Sequence, residues 1–232
     1  MNLPCSILTS LALLGLFVSA ADAADSENPK PFAPYRLRPV DETSRDPDFR
    51  AFYSKLLNAI DRKDHSFLTS IVDPNIELSF GGDAGIGRFQ EIWKPTDRKS
   101  AIWKELGEVL RLGVTFDARQ NEFWAPYVSS RFPQNYDGFD YSAIIATDVK
   151  VRKEPKSSAP VIATLNYDIV RTNYSVFGDG TKTARSDWIK VGLSDGREGF
   201  VPVATVRSPI DYRACFAKKS GRWMITVFIA GD

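Results

Sequence analysis

The hydrophobic period changes along this chain, and that change is the strongest constraint on its fold. Up to about residue 112 apolar residues recur at helical spacing; from about Tyr141 onward they recur at strand spacing. Asp46 can cap a helix whose first turn holds Pro47, and Phe49, Phe52, Tyr53, Leu56, Leu57 and Ile60 mark its buried stripe. Asp64 reads as a second cap before Phe67, Leu68, Ile71 and Val72, with Asp73-Pro74 as the stop. Ile76, Leu78 and Phe80 alternate with polar residues as in a half-buried strand. Phe89, Ile92 and Trp93 mark a short helix. Ile102, Trp103, Leu106, Val109 and Leu110 mark a longer one, closed by Gly113. The segment Glu122 to Phe132 is aromatic and β-prone, with Pro126 suggesting an edge or bulge, and 133–138 reads as a loop.

Strand-like runs then follow at 141–152, 160–165, 168–173, 187–193, 197–202 and 210–217, separated by turn residues. Short strands at this spacing predict a small barrel. Its interior would be filled by Val149, Val151, Val161, Leu165, Ile169, Ile189, Val191 and Val201, with Gly199 at a close backbone approach. A hairpin ends the pattern: Tyr212 to Ala217, a Lys-Lys-Ser-Gly turn, then Arg222 to Ala230. Helices first and strands later predict an α+β chain.

Composition narrows function. With 25% charged residues and 5 Trp, 8 Tyr and 15 Phe in 232 residues, the chain carries enough apolar surface for packed cores. A net charge of +1 gives no field to hold nucleic acid. The apolar run Ile7 to Ala20, ending in Ala21-Asp22-Ala23, reads as a signal peptide over 1–23, so export to the periplasm or beyond is expected, with no membrane span after cleavage. Pro29, Pro31, Pro34 and Pro39 make 24–45 an extended arm. Cleavage would leave Cys215 as the single cysteine, unable to form an internal disulfide and suited to a small core position.

Catalytic patterns are sparse. His65, the one histidine, stands beside Asp64 at a predicted helix start and reads as a surface or capping residue. No H-E-x-x-H, G-x-S-x-G or C-x-x-C occurs. The glycines of 81–87 match neither phosphate-binding spacing and predict a tight turn. Glu77 and Asp83 are a carboxylate pair that would need a shared pocket to act. No catalytic residue, metal or cofactor is expected. The aromatics of 123–141 are denser than one edge strand needs and are expected to form a seam between two domains.

Four segments carry a resemblance. Thr147 to Pro155 contains V-R-x-x-P; Ala159 to Leu165 follows; Asp187 to Val191 reads W-x-K-V; Asp195 to Val201 reads G-x-x-G-F-V. Together they resemble the bacterial SH3-like (SH3b) family over roughly 140–208. Lys150 stands where that family often has Asn, Phe200 where it usually has Trp, and the stretch Arg171 to Ser186 is longer. The helices and strand at the N-terminal end and the C-terminal hairpin resemble NTF2-like (cystatin-like) α+β domains. The two resemblances combine if the barrel interrupts one α+β domain made of 46–138 and 209–232, with contacts from Trp223 or Phe228 to the 49–60 helix as the sign.

The SH3-like resemblance implies a non-catalytic binding module of the cell envelope, recognising a peptide, peptidoglycan or an envelope protein. Tyr167, Tyr174, Trp188 and Phe200 are the candidate contacts, with Arg152 for a carboxylate. The NTF2-like resemblance implies the alternative, a small-molecule or weakly catalytic pocket in an apolar cone between sheet and helices. A cone filled by Phe, Leu and Trp would leave only surface binding. Oligomeric state is not legible in the sequence.

Overall fold

Asp46 accepts a hydrogen bond from the Phe49 amide at 2.9 Å, and Pro47 opens helix α1 (Pro47–Arg62). Asp64 repeats the device for α2 (His65–Ser70), accepting from Phe67 N at 3.0 Å. The computed structural model describes residues 30–172 and 187–231. The signal peptide over 1–23, arm residues 24–29 and Tyr174 lie outside them. Among the described residues no helix is long and apolar enough to cross a membrane.

The chain continues through β1 (Val72–Glu77), α3 (Ile86–Trp93), α4 (Ile102–Arg111), β2 (Thr115–Asp117), β3 (Glu122–Ala125) and α5 (Tyr127–Ser130). Asp73-Pro74 was expected to end a helix; instead both residues sit inside β1. The sheet order explains why. β1 is an edge strand, so a proline lacking its N–H faces no ladder on its open side. Pro126 falls just past β3, which is an internal strand. The glycine-rich turn folds back on β1 through Leu78 N to Asp83 O at 2.9 Å and Gly85 N to Ile76 O at 2.8 Å. Phe80, expected in the strand, lies beyond it and is 59% exposed. Gly113 ends the α4 region at φ +78°, where an added Cβ would stand 2.2 Å from the Val40 carbonyl oxygen.

Next come β4 (Tyr141–Ile144), β5 (Val149–Arg152), β6 (Val161–Leu165), β7 (Ile169–Arg171), β8 (Trp188–Gly192), β9 (Glu198–Pro202) and β10 (Val206–Arg207). β11 (Arg213–Lys219) and β12 (Arg222–Ile229) close the chain as a hairpin. Two sheets result. A five-stranded sheet runs β1-β12-β11-β3-β2, so it takes strands from both ends of the chain. A seven-stranded sheet runs β10-β4-β7-β8-β9-β5-β6 and contains only strands from 141–207. The molecule is therefore α+β, with helices and two sheets.

Helices α1 and α4 cover one face of the five-stranded sheet. Phe49 stacks on Phe123 with centroids 3.7 Å apart and meets Trp223 at 4.9 Å and Phe216 at 5.6 Å. Tyr53 donates to the Leu110 carbonyl at 2.7 Å, tying α1 to the end of α4. Burial holds the Tyr53 phenol far above its usual range. The space between helices and sheet is filled by these rings with Leu56, Leu106 and Phe228.

The seven-stranded sheet is open: β6 and β10 are its edges, and no hydrogen-bonded pair closes it among the described residues. Its apolar face still gathers into one core of Ile144, Val149, Val151, Val170, Ile189, Val191, Val201 and Val206, with Leu165 packed against it. Two expected interior residues go elsewhere. Val161 is 48% exposed, because a bulge between Val151 and Arg152 sets it opposite outward-facing Arg152 on edge strand β6. Ile169 joins a third cluster, at the seam.

That third cluster holds Leu37, Tyr127, Val128, Tyr136, Ala143 and Ile169, with Phe32, Phe132 and Tyr141 packed on it. The aromatics of 123–141 thus divide. Phe123 enters the first core, Tyr127, Phe132, Tyr136 and Tyr141 line the seam, and Phe139 is exposed. The described part of the proline-rich arm runs along this seam. Leu37 N donates to Tyr167 O and Ile169 N to Tyr35 O, both at 2.8 Å, on the seven-stranded side. On the other side Glu42 accepts from Phe116 N and from Arg131, both at 2.9 Å. Arg207, 4% exposed, pairs with Asp211 at 3.0 Å and Glu108 of α4 at 3.8 Å, so β10 is also tied to the helices.

Lys218 and Lys219 were expected in the hairpin turn as a solvated tip. The turn is instead Ser220-Gly221, both at positive φ, and the lysines belong to β11. Lys218 reaches Asp46 at 3.0 Å and lies 5.1 Å over the Trp223 ring.

Candidate functional site

The β8–β9 hairpin alternates cleanly. Ile189, Val191 and Val201 point into the core, which puts Trp188, Lys190, Glu198, Phe200 and Pro202 on the outer face. The turn is shaped by Gly196 at φ +86°, with Asp195 accepting from the Arg197 amide at 3.0 Å. Asp195 is held below its usual range first by the Arg197 side chain and then by that amide.

Gly199 brings the third strand in. An added Cβ there would stand 2.5 Å from Val151 Cγ1 and 2.8 Å from the Arg152 carbonyl oxygen. Only a residue with no side chain lets β5 approach β9 this closely. The approach sets Arg152 directly opposite Phe200, while Phe200 is opposite Lys190 on its other side. A row Lys190–Phe200–Arg152 therefore crosses three strands, and Val161 extends it onto β6. Trp188, opposite Pro202, stands one pleat along.

Trp188 and Phe200 are both half-buried, anchored at the base with surface left outside. Arg152 donates one guanidinium N–H to the Ala159 carbonyl at 2.7 Å, which fixes the head group against the 153–160 turn. Lys190 pairs with Glu198 at 2.5 Å on the exposed surface. The face thus offers two rings, one oriented guanidinium and one carboxylate–ammonium pair. That chemistry suits an extended polar chain with an apolar side group and a carboxylate.

Of the five residues singled out in the sequence, three come together: Arg152, Trp188 and Phe200. Tyr167 does not join them. It sits at φ +61° in the turn between β6 and β7, with its carbonyl held by the arm. Its neighbour is Tyr127, whose phenol is pushed up to about 12 by burial and then by Tyr167. Tyr174 lies outside the described residues. Lys190, Glu198 and Val161 were not singled out. Lys190 had a legible signal, since W-x-K places Trp188 and Lys190 on one face of any strand. Val161 had none, because the bulge that exposes it is a feature of pairing.

Elsewhere chemistry is sparse. His65 is exposed and contacts Ser66. Asp83 pairs with Arg88 at 2.8 Å, and both Asp83 and Glu77 are exposed. The Cys215 thiol is 1% exposed and burial pushes it well above its usual range; it donates to Glu122 at 3.3 Å. Among the described residues no three His, Cys, Asp or Glu side chains converge as a metal site. Matched against family models, curated proteins and solved structures, the chain returns no match.

Proposed function

We propose that this chain is an exported, non-catalytic binding module of the cell envelope. Its 140–208 region acts as an SH3-like unit set into an α+β host made of 46–138 and 209–232. The ligand is an extended peptide, a wall peptide or a segment of an envelope protein, laid across Trp188, Phe200 and Arg152. The observation that carries this reading is the outward row on β8, β9 and β5. The four segments with the SH3-like resemblance supply β8, β9, β5 and β6, which are consecutive neighbours in the sheet. Two further points support it. The C-terminal hairpin pairs with β1 and β3 and places Trp223 against Phe49, as an inserted unit requires. The interior between helices and the five-stranded sheet is filled by rings, which leaves binding to surfaces.

The test is retention of the protein lacking 1–23 on purified cell-wall sacculi and on immobilised envelope proteins, in low and high salt. Retention that is lost in Trp188→Ala and in Phe200→Ala, with unchanged melting temperatures, is the expected result. Retention by neither matrix, or retention indifferent to both substitutions, would overturn the reading.

A further inference from the structure

Between the proline-rich arm and helix α1 lies a cleft of about 660 Å³, the size of a small-ligand site. The arm forms one wall from Pro39 to Asp41. It is tied down on either side of that stretch, by Leu37 N to Tyr167 O and by Glu42 N to Val114 O, both at 2.8 Å. Between the ties it passes Gly113, which has no Cβ to keep the Val40 carbonyl away. The opposite wall belongs to α1. Arg50, Tyr53, Ser54 and Leu57 fall at spacings of three, four and seven, so they share one flank of the helix. The end of α4 and Ile145, just past β4, complete the lining. Tyr53 is fixed by its bond to the Leu110 carbonyl, so the helix wall is as rigid as the arm wall.

The charges that line the cleft cancel. Asp41 on the arm and Arg50 on α1 are of opposite sign, and Arg111 is paired with Asp61. All three lining charges are exposed, so they stand at the mouth in contact with water. Deeper in, the lining is apolar and comes from two different clusters. Leu57 is a half-buried edge of the core between helices and sheet. Leu112 and Ile145 are half-buried edges of the seam cluster. The cleft is thus the place where two apolar clusters reach the surface side by side, each with part of its edge uncovered.

We infer that this cleft binds a neutral small molecule with an apolar body, which bridges Leu57 to the Leu112–Ile145 edge and leaves its polar end at the mouth. Covering those edges removes apolar surface from water, while a lining without net charge gives an ionic ligand nothing to offset its lost hydration. The site is independent of the envelope-binding reading.

The test uses two fluorescent probes of nearly equal shape, neutral N-phenyl-1-naphthylamine and the sulfonate 1-anilinonaphthalene-8-sulfonate, with the full chain from residue 24. The neutral probe is expected to saturate one site more tightly than the sulfonate, and to change by less than about twofold as sodium chloride rises. Ser54→Trp, an exposed position on the lining flank of α1, should fill the cleft and abolish binding. Leu57→Ala and Leu112→Ala should each weaken the neutral probe about fivefold, the loss of part of an apolar contact. Arg50→Ala should change it by less than about twofold, because an exposed charge contributes little to holding a neutral ligand. Trp188→Ala should change nothing, which separates this site from the outer face of the seven-stranded sheet. Tighter binding of the sulfonate, or neutral-probe binding indifferent to Ser54→Trp in a variant that melts like the parent, would overturn the inference. If the tryptophan variant does not fold, indifference to both Leu57→Ala and Leu112→Ala overturns it instead.

Discussion

The two sheets fill their interiors with different residues. The five-stranded sheet and its helices pack rings: Phe49, Phe123, Phe216, Trp223 and Phe228 meet in one cluster. The seven-stranded sheet packs branched aliphatics, chiefly Val and Ile. Helices stand well off a sheet, and large rings span that distance. Strands that curl onto one another leave a narrower interior, which Val and Ile fill. The consequence is functional. In the first region the rings are consumed by the core. In the second, Trp188 and Phe200 are not needed inside and stand on the outer face.

The sharpest way to break that comparison is to truncate each core. Phe216→Ala should cost about 3–5 kcal/mol and Ile189→Val about 1 kcal/mol, read by urea denaturation. Similar losses would mean that the two interiors are equally tolerant. A second test asks whether the regions unfold together. Arg207→Ala leaves Asp211 and Glu108 without their shared cation. It should cost about 2 kcal/mol, below the usual cost of breaking a fully buried pair because both acids keep contact with water. If Arg207 couples the regions, the variant should show separated transitions by near-UV and far-UV circular dichroism, where the parent shows one. Smaller still is the effect of removing outward rings: Trp188→Ala or Phe200→Ala should change stability by less than about 1 kcal/mol, measured the same way. A larger loss would assign these rings to packing.

Acid sharpens the role of the seam. Burial of Glu42 opposes its ionisation, but hydrogen bonds from Phe116 N, Arg131 and Arg45 outweigh it, and the carboxyl is held below its usual value. Asp46 behaves alike: burial opposes, while Phe49 N and Lys218 prevail. A carboxylate depressed in the folded state contributes stability above its unfolded pKa, near 4, and loses it as pH falls through the native value. The melting temperature should therefore drop below about pH 4, and the gap between the parent and Glu42→Gln should narrow there. A gap unchanged with pH would remove Glu42 from this account.

Local signals proved legible where the physics is local. Asp46 and Asp64 cap helices because a side-chain oxygen meets an amide three residues on, and Gly113 and Gly221 sit where positive φ is required. The SH3-like resemblance named Trp188 and Phe200, and the pairing of β8 with β9 sets both on one face. What was not legible depends on strands distant in sequence. Pro74 is tolerated because its stretch of β1 pairs only with β12, about 150 positions later, and the 83–85 turn bonds β1 only from Ile76 onward. Val161 turns outward because of a bulge in β5–β6 pairing. Tyr167 stands by the arm rather than beside Trp188 and Phe200, since the arm's own hydrogen bonds capture that turn. Lys218 is no loop tip, because β11 runs two residues further, to Lys219, and the Lys218 side chain reaches Asp46.

By itself the sequence determined the helix starts, the alternating strands and the α+β class, all written in spacings of a few residues; the choice of Arg152, Trp188 and Phe200 rested on the SH3-like resemblance. The tertiary structure alone decided that a C-terminal hairpin completes an N-terminal sheet and that the arm lies in the seam. Those depend on which surfaces bury one another, and burial is a property of the assembled chain rather than of any segment within it.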